Sequence, residues 1–503
     1  MKTATLLRRI AWSASFLLAV AVLLWTMAAT SAWIVRGELN RDARQRLWLL
    51  QHDEPLWRWS PRYPQDLVSG HAFGKAHLLV GVDGLDSVSG DGSPFDLGLP
   101  LTHPVDLHHW STLLIHAKSS SPGRLGLSWE TPEQKGCLIA DVAELSTHSN
   151  EIRVDLGHLQ ALSSDSAHPL CQLPQVATML RLRPIIPAGA SWLLKDVTLQ
   201  AGMPIPPPAT ASLMLEGSVA QARQQLANWH AEQAAPRIRL PTGASAEQAL
   251  TLRDDILARQ PGAIIATDNQ TLTPSPRLTW LPWLGWAGCM LYLATLLFAA
   301  QYRTRESIAL ALIVLGPLWL IIGLQWQLHP SIPAIIGFVG ALGFAAWREW
   351  HLPRPVTWRW FGPDKNGWLW PLGLVIVAYV MVLAVDGHHL RPLPWRHVLI
   401  YLVWASLQQW LILVVVMRRW EQWRWPSALC VLVTALTFAL LHTPNGLLMQ
   451  MCFLAELYWA WCFLRTRSLA PIAIAHAACA LIVEAGLAGP VLRSLEVSGR
   501  FFL

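Results

Sequence analysis

Residues 307–347 read SIALALIVLGPLWLIIGLQWQLHPSIPAIIGFVGALGFAAW, 41 positions in a row without an Asp, Glu, Lys or Arg. One helical crossing of a bilayer takes about 20 apolar residues, so this run holds two crossings. Leu328-His329-Pro330 is the natural break between them. Working outward, residues 278–302 are uncharged over 25 positions. Further apolar segments follow at 368–385, 397–417, 426–442, 447–463 and 469–489. At the other end, residues 10–35 carry no charge for 26 positions. Ala29-Thr30-Ser31-Ala32 resembles a signal-peptide cleavage site, but the run is long for such a segment and reads as an uncleaved anchor. The expected fold class is therefore a polytopic α-helical membrane protein of about nine spans.

Composition agrees. The 503 residues are 53% hydrophobic and only 14% charged, where a soluble domain carries about 25% charged side chains. This excludes an ordinary soluble enzyme and a disordered chain. The 29 tryptophans suit interfacial anchoring. The net charge of +6 is uneven: residues 36–277 hold 20 basic and 24 acidic side chains, the remainder 18 and 8. The excess of base thus lies in short loops between apolar segments, which argues against a nucleic-acid partner. With the N-terminus in the cytoplasm, the inner loops carry 11 basic residues, including Arg303, Arg305, Arg418, Arg419, Arg465 and Arg467. The short outer loops carry two, Arg391 and Arg396. That asymmetry puts residues 36–277 outside, periplasmic if the membrane is a bacterial inner membrane. Arg36, Arg41, Arg44 and Arg46 oppose this orientation locally and are outvoted by the later spans.

The polar block between the first and second spans reads as β structure. Residues 78–82, 111–118, 124–130, 151–156, 178–185 and 191–199 are short, apolar-rich and separated by Gly, Pro, Ser and Asp. Regular short strands of this kind suggest an inserted extracytoplasmic β-sandwich, jelly-roll-like in class. Its ending, residues 187–199, resembles the last strand of galactose-binding-like domains, which makes carbohydrate a possible ligand. Residues 204–208 form a stiff Pro-rich linker. Beyond it, helices over 218–233 and 245–260 and a strand over 263–266 make a small α or α/β module. Cys137 and Cys171 lie in the external block, as a disulfide or as two buried thiols, whereas the other five cysteines sit in apolar segments. The domain division is then 1–35 anchor, 36–203 sandwich, 204–277 linker and module, 278–390 accessory membrane helices and 391–503 membrane core.

Strongly polar side chains inside lipid are costly and mark function. The spans hold few: Gln408, Gln409, His442, Glu456, His476 and Glu484. Phe438-Ala439-Leu440-Leu441-His442 resembles the Phe-x-x-x-His motif of the CPBP family, the CAAX-protease and bacteriocin-processing (Abi) type of membrane protein. Residues 464–471, LRTRSLAP, resemble the family's entry to its last core helix, and His476 stands where its third motif has a histidine. The resemblance covers roughly 400–490. It implies an intramembrane endopeptidase acting on a membrane protein or peptide, with a glutamate that deprotonates water and histidines that bind water and steady the oxyanion.

The departures are as informative. The first motif, Glu-Glu-x-x-x-Arg, is here Gln408-Gln409 followed by Leu413, and the asparagine of the third motif is Ala480. An amide orients water but does not take its proton. Candidate substitutes are Glu456, mid-span after His442, and a histidine itself, whose ordinary pKa suits neutral pH. Glu484, eight residues past His476, sits about 12 Å along the helix, too far for direct contact. The candidate catalytic set is His442, His476, Gln408, Gln409 and Glu456, with no cofactor and no metal. Asp386-Gly387-His388-His389 and His108-His109 are weak metal patterns. Two readings stay open: a divergent peptidase, or a non-catalytic scaffold or maturation partner that keeps the cavity. An envelope-glycan or transport component is a third.

Overall fold

The computed structural model describes residues 2–131, 137–148, 150–158, 161–163, 170–171, 176–267, 272–276, 281–302, 305–322, 332–351, 358–362, 365–385, 389–489 and 492–502. The chain divides into two units. One comprises Met1–Val35, Ser245–Gln248 and Leu278–Leu503; the other comprises Arg36–Ala244 and Ala249–Arg277.

The second unit is β-rich. One six-stranded antiparallel sheet runs in the order Ala76–Val80, Leu85–Ser89, Ser191–Gln200, Thr112–Ser119, Glu151–Asp155, with Trp57–Trp59 also on Ser191–Gln200. A second six-stranded sheet has the order Leu170–Cys171, Ala161–Ser163, Cys137–Leu145, Gly123–Glu130, Met179–Ile185, Leu97–Leu99. Strict alternation places Leu180, Leu182 and Pro184 inward. In Ser191–Gln200 the alternation slips: a bulge between Leu194 and Asp196 turns Val197 and Leu199 to the same face as Trp192 and Leu194. Leu113, Ile115, Leu127, Leu180, Trp192 and Leu194, drawn from both sheets, share one core. Each of the six expected strands has a counterpart here. The unforeseen ones, such as Leu85–Ser89 and Leu97–Leu99, are too short or too polar to stand out. Cys137 is disulfide-bonded; the side chain of Cys171, its expected partner, lies outside the described residues.

Helix α1 covers Lys2–Gln51. Beyond the sheets, three short parallel strands, Leu213–Met214, Arg237–Arg239 and Ile264–Ala266, are linked by α2 (Val219–Asn228) and α3 (Ala246–Arg259). Ser218 and Gln221 close a reciprocal capping box at the start of α2.

The first unit is a helical bundle. Its later helices are α4 (Leu281–Gln301), α5 (Glu306–Ile322), α6 (Ile332–His351), α7 (Asn366–Leu383) and α8 (Trp395–Gln409). A π-helical segment, Trp410–Met417, follows, then α9 (Arg418–Gln422), α10 (Ser427–Leu440), α11 (Gly446–Thr466) and α12 (Ala470–Gly486). Among the described residues five helices are long and apolar enough to cross a membrane, beginning at Ala11, Trp283, Ile332, Trp395 and Gly446. Four shorter apolar helices, Glu306–Trp319, Gly367–Leu383, Ser427–Leu440 and Ala470–Gly486, fall on the remaining expected spans. Length alone thus supports five spans of the nine expected. The expected break at Leu328-His329-Pro330 lies outside the described residues.

Met27 of α1 packs with Ala435 and Ala439 of α10 and Met449 and Phe453 of α11. Gln450 Nε2 donates to the Leu24 carbonyl over 2.9 Å. At the other end of the bundle five charges are grouped. Arg419 Nε lies 3.4 Å from Glu306 and its Nη2 3.7 Å from Glu349, while Arg348 pairs with Glu306 and Arg418 with Glu349. Pairing is what makes such buried arginines tolerable, and it ties α5, α6 and α9 together.

Candidate active site

Gln408 and Gln409 close α8, where the backbone widens into the π-helical segment. Such widening is rare and frequent at functional sites, because it re-aims neighbouring side chains. Here it accompanies a division of the glutamine pair: Gln408 lines a cavity, whereas Gln409 is fully buried behind the wall. The Gln409 amide nitrogen donates to Glu456 Oε2 of α11 over 2.9 Å and lies 3.3 Å from His476 Nδ1 of α12.

His442 reaches the same region by a broken helix. α10 stops at Leu440, and residues 441–444 form a turn. Asn445 then caps α11, its Oδ1 accepting from Leu448 N over 3.1 Å. Its Nδ2 donates to the carbonyls of Ser494 (2.7 Å) and Glu496 (3.2 Å) in the C-terminal segment. Ser498 N donates to the Thr443 carbonyl over 2.9 Å. The irregular backbone is thereby satisfied inside protein, the condition for a helix break at membrane depth. Straight helices starting at one membrane face would leave His442 and His476 at different depths, yet both rings pack against the Phe438 ring. The Phe438 ring centroid is 4.8 Å from the His442 ring and 5.4 Å from the His476 ring, edge-on to both, and Trp459 lies 5.2 Å from His476.

The cavity has a volume of about 760 Å³, and His442, His476, Gln408 and Trp459 are in its wall. The wall is mainly apolar, as expected for a site that takes an apolar segment and orients it with a few polar groups. Hydrogen bonding assigns the tautomers of the neutral rings. His442 Nδ1 is 2.9 Å from the Phe438 carbonyl, which only accepts. Nδ1 therefore carries the proton, and Nε2 keeps its lone pair. His476 Nδ1 faces the amide N–H of Gln409, so it accepts, and Nε2 carries the proton. The two rings are a complementary acceptor and donor.

Of the five candidate residues, Gln408, His442 and His476 are in the cavity wall, while Gln409 and Glu456 support His476 from behind. Glu456 thus takes Gln409 as its partner and does not face the cavity. Ala480 is in the wall; Leu413 is buried in the helical core. Glu484 bonds to His397 Nε2 over 2.9 Å, a pairing the sequence did not suggest because 87 residues separate the two. Asn445-Gly446 ahead of an apolar run is a readable helix start, but the bonds of Asn445 to Ser494 and Glu496 have no local signature. Of the weak metal patterns, His109 Nδ1 is 2.8 Å from Asp106, residues 386–388 lie outside the described residues, and His389 is exposed. Among the described residues no cluster with metal-ligand geometry occurs.

Residues 345–482 match the family model "Type II CAAX prenyl endopeptidase Rce1-like". The segment 345–482 is thus Rce1-like. This agrees with the CPBP resemblance carried by Phe438, His442 and His476, all within the matched range. The Rce1-like segment contains Gln408, Gln409, Glu456 and both histidines; Glu484 and the C-terminal segment lie outside it. No curated protein matches the chain. Among solved structures, a family two carbohydrate esterase from Cellvibrio japonicus is similar at 14% identity over 42% of this chain and 51% of that one, with a TM-score of 0.16. The chain thus spans about half the length of that structure, and the likeness carries no argument.

Proposed function

We propose that this integral membrane protein is a divergent CPBP-type intramembrane peptidase that hydrolyses an amide bond in a membrane protein or peptide. The observation that carries the proposal is the pair of complementary imidazoles in one cavity wall. His442 Nε2 accepts a proton from water as the water oxygen adds to the carbonyl carbon. His476 Nε2–H donates to the developing oxyanion, and Gln408 orients the water or the peptide. The C–N bond then breaks, and His442 returns the proton to the leaving amine. General-base help of this kind is worth about 10²–10⁴-fold. No cofactor enters.

A second reading, a non-catalytic scaffold or maturation partner, is favoured by one feature: an amide, Gln408, stands at the wall where the family resemblance expects a carboxylate. The rest of the architecture is part of the proposal: nine crossings, an N-terminus in the cytoplasm, and residues 36–277 periplasmic, with domain limits 1–35, 36–203, 204–277, 278–390 and 391–503. The two sheets around one core support a β-sandwich, jelly-roll-like in class, with carbohydrate as its candidate ligand.

The test uses full-length protein in nanodiscs, a broad set of membrane peptides and mass-spectrometric detection of cleavage. Wild type is expected to cleave, with His442→Ala and His476→Ala slower by about 10²-fold or more. Binding without cleavage by wild type would establish the scaffold reading.

A further inference from the structure

The cavity has a second polar level. α8 and α12 run antiparallel and are clasped at two heights: Gln409 to His476, and His397 to Glu484. His476 and Glu484 are eight residues apart on α12, or about 12 Å along its axis. His397 and Gln408 are eleven residues apart on α8, or about 16 Å. All four side chains are in the wall of the one cavity, and Tyr401 and Val483 in the wall between the two levels are less polar.

The second level is acidic in composition on the α12 side. Oε2 of Glu484 is engaged by His397 Nε2, and the carboxylate remains partly exposed. The second level thus presents a carboxylate at the cavity wall, one oxygen of which is 2.9 Å from His397 Nε2. Glu496 and Arg500, also in the wall, form an ion pair 3.6 Å apart and contribute no net charge. A partly exposed carboxylate in a mainly apolar cavity wall still attracts a cation, more strongly than one in open water.

We infer that the Glu484 end of the cavity is a subsite for a basic side chain of the bound peptide. It rests on the peptide-binding reading above. An extended chain advances about 3.3–3.6 Å per residue, so the 12 Å span places a Lys or Arg three or four positions from the amide held by the histidines. The substrate class narrows accordingly: apolar membrane segments bearing one basic residue at that spacing, as found where a segment leaves the bilayer.

The experiment measures binding, so that it is independent of turnover. Fluorescent apolar peptides carry a phosphinate in place of one amide, with Lys, Ala or Glu placed two, four or six positions to either side. Full-length protein in nanodiscs is titrated with each. The Lys peptide is expected to bind about tenfold more tightly than its Ala counterpart at separation four on one side, and the Glu peptide more weakly than both. In Glu484→Gln the Lys advantage is expected to shrink to twofold or less, while His442→Ala retains it. Equal affinity of Lys and Ala peptides for wild type, or a Lys preference that survives Glu484→Gln, would overturn the subsite alone. Failure of every peptide to bind would remove the peptide-binding reading together with it.

Discussion

The Gln409 amide nitrogen lies 3.3 Å from His476 Nδ1 and 2.9 Å from the Glu456 carboxylate, so a glutamine relays the position of an acid to a histidine. In the family pattern both glutamine positions are glutamates. Here the inner position is a neutral bridge, and an acid on α11 provides the anchor. Gln408, on the wall, has no such replacement. This difference separates the two glutamines experimentally.

Gln408→Glu puts a carboxylate in the cavity wall, where it can take a proton from water. If the protein is a slow peptidase, cleavage is expected to rise by up to about 10²-fold. Gln409→Glu instead sets a second carboxylate against Glu456 in a dry interior. That variant is expected to lose several kcal/mol of stability. Peptide cleavage and thermal unfolding in detergent, measured on both variants, check the contrast.

Glu456→Leu removes the acceptor of one Gln409 N–H and leaves that N–H buried without its partner, while His476 Nδ1 still faces the amide. The expected cost is about 1–3 kcal/mol. Glu456→Gln keeps an oxygen acceptor of the same shape and is expected to recover most of it. Equal loss in the two variants would mean that charge, not the hydrogen bond, holds Gln409 in place.

Asn445→Ala removes the cap on α11 and two hydrogen bonds to the C-terminal segment. About 2–4 kcal/mol of destabilisation is expected. Ser494 and Glu496 would also lose their tether, so limited proteolysis should clip the segment after residue 489 more readily than in wild type.

Topology is accessible to labelling. With the N-terminus cytoplasmic, Asp53→Cys is expected to react with a membrane-impermeant maleimide applied outside intact cells, and Arg359→Cys only after lysis. The reverse pattern would invert the orientation argued from the loop arginines.

Much of this was legible in the sequence for identifiable reasons. Uncharged runs locate membrane helices because charge in lipid is costly, and the expected core spans coincide with α7, α8, α10, α11 and α12. Phe438 and His442 are one helical turn apart, and their chemistry survives as text. What was not legible depends on packing between distant segments. The Gln409 bond to Glu456 spans 47 residues and the His397 bond to Glu484 spans 87, and neither pair has any local signature. The π-helical turn after Gln409 is likewise hidden, since Trp410–Met417 is simply a run of apolar residues.

The central claim is that the two imidazoles are fixed in opposite tautomers, an acceptor on His442 and a donor on His476. Nitrogen-15 NMR of histidine-labelled full-length protein, assigned with His442→Gln and His476→Gln, reads this directly at neutral pH. The account expects His442 protonated on Nδ1 and His476 on Nε2, with the His476 signal shifting in Gln409→Leu. Finding both rings in one tautomer, or His476 unchanged in Gln409→Leu, would contradict it.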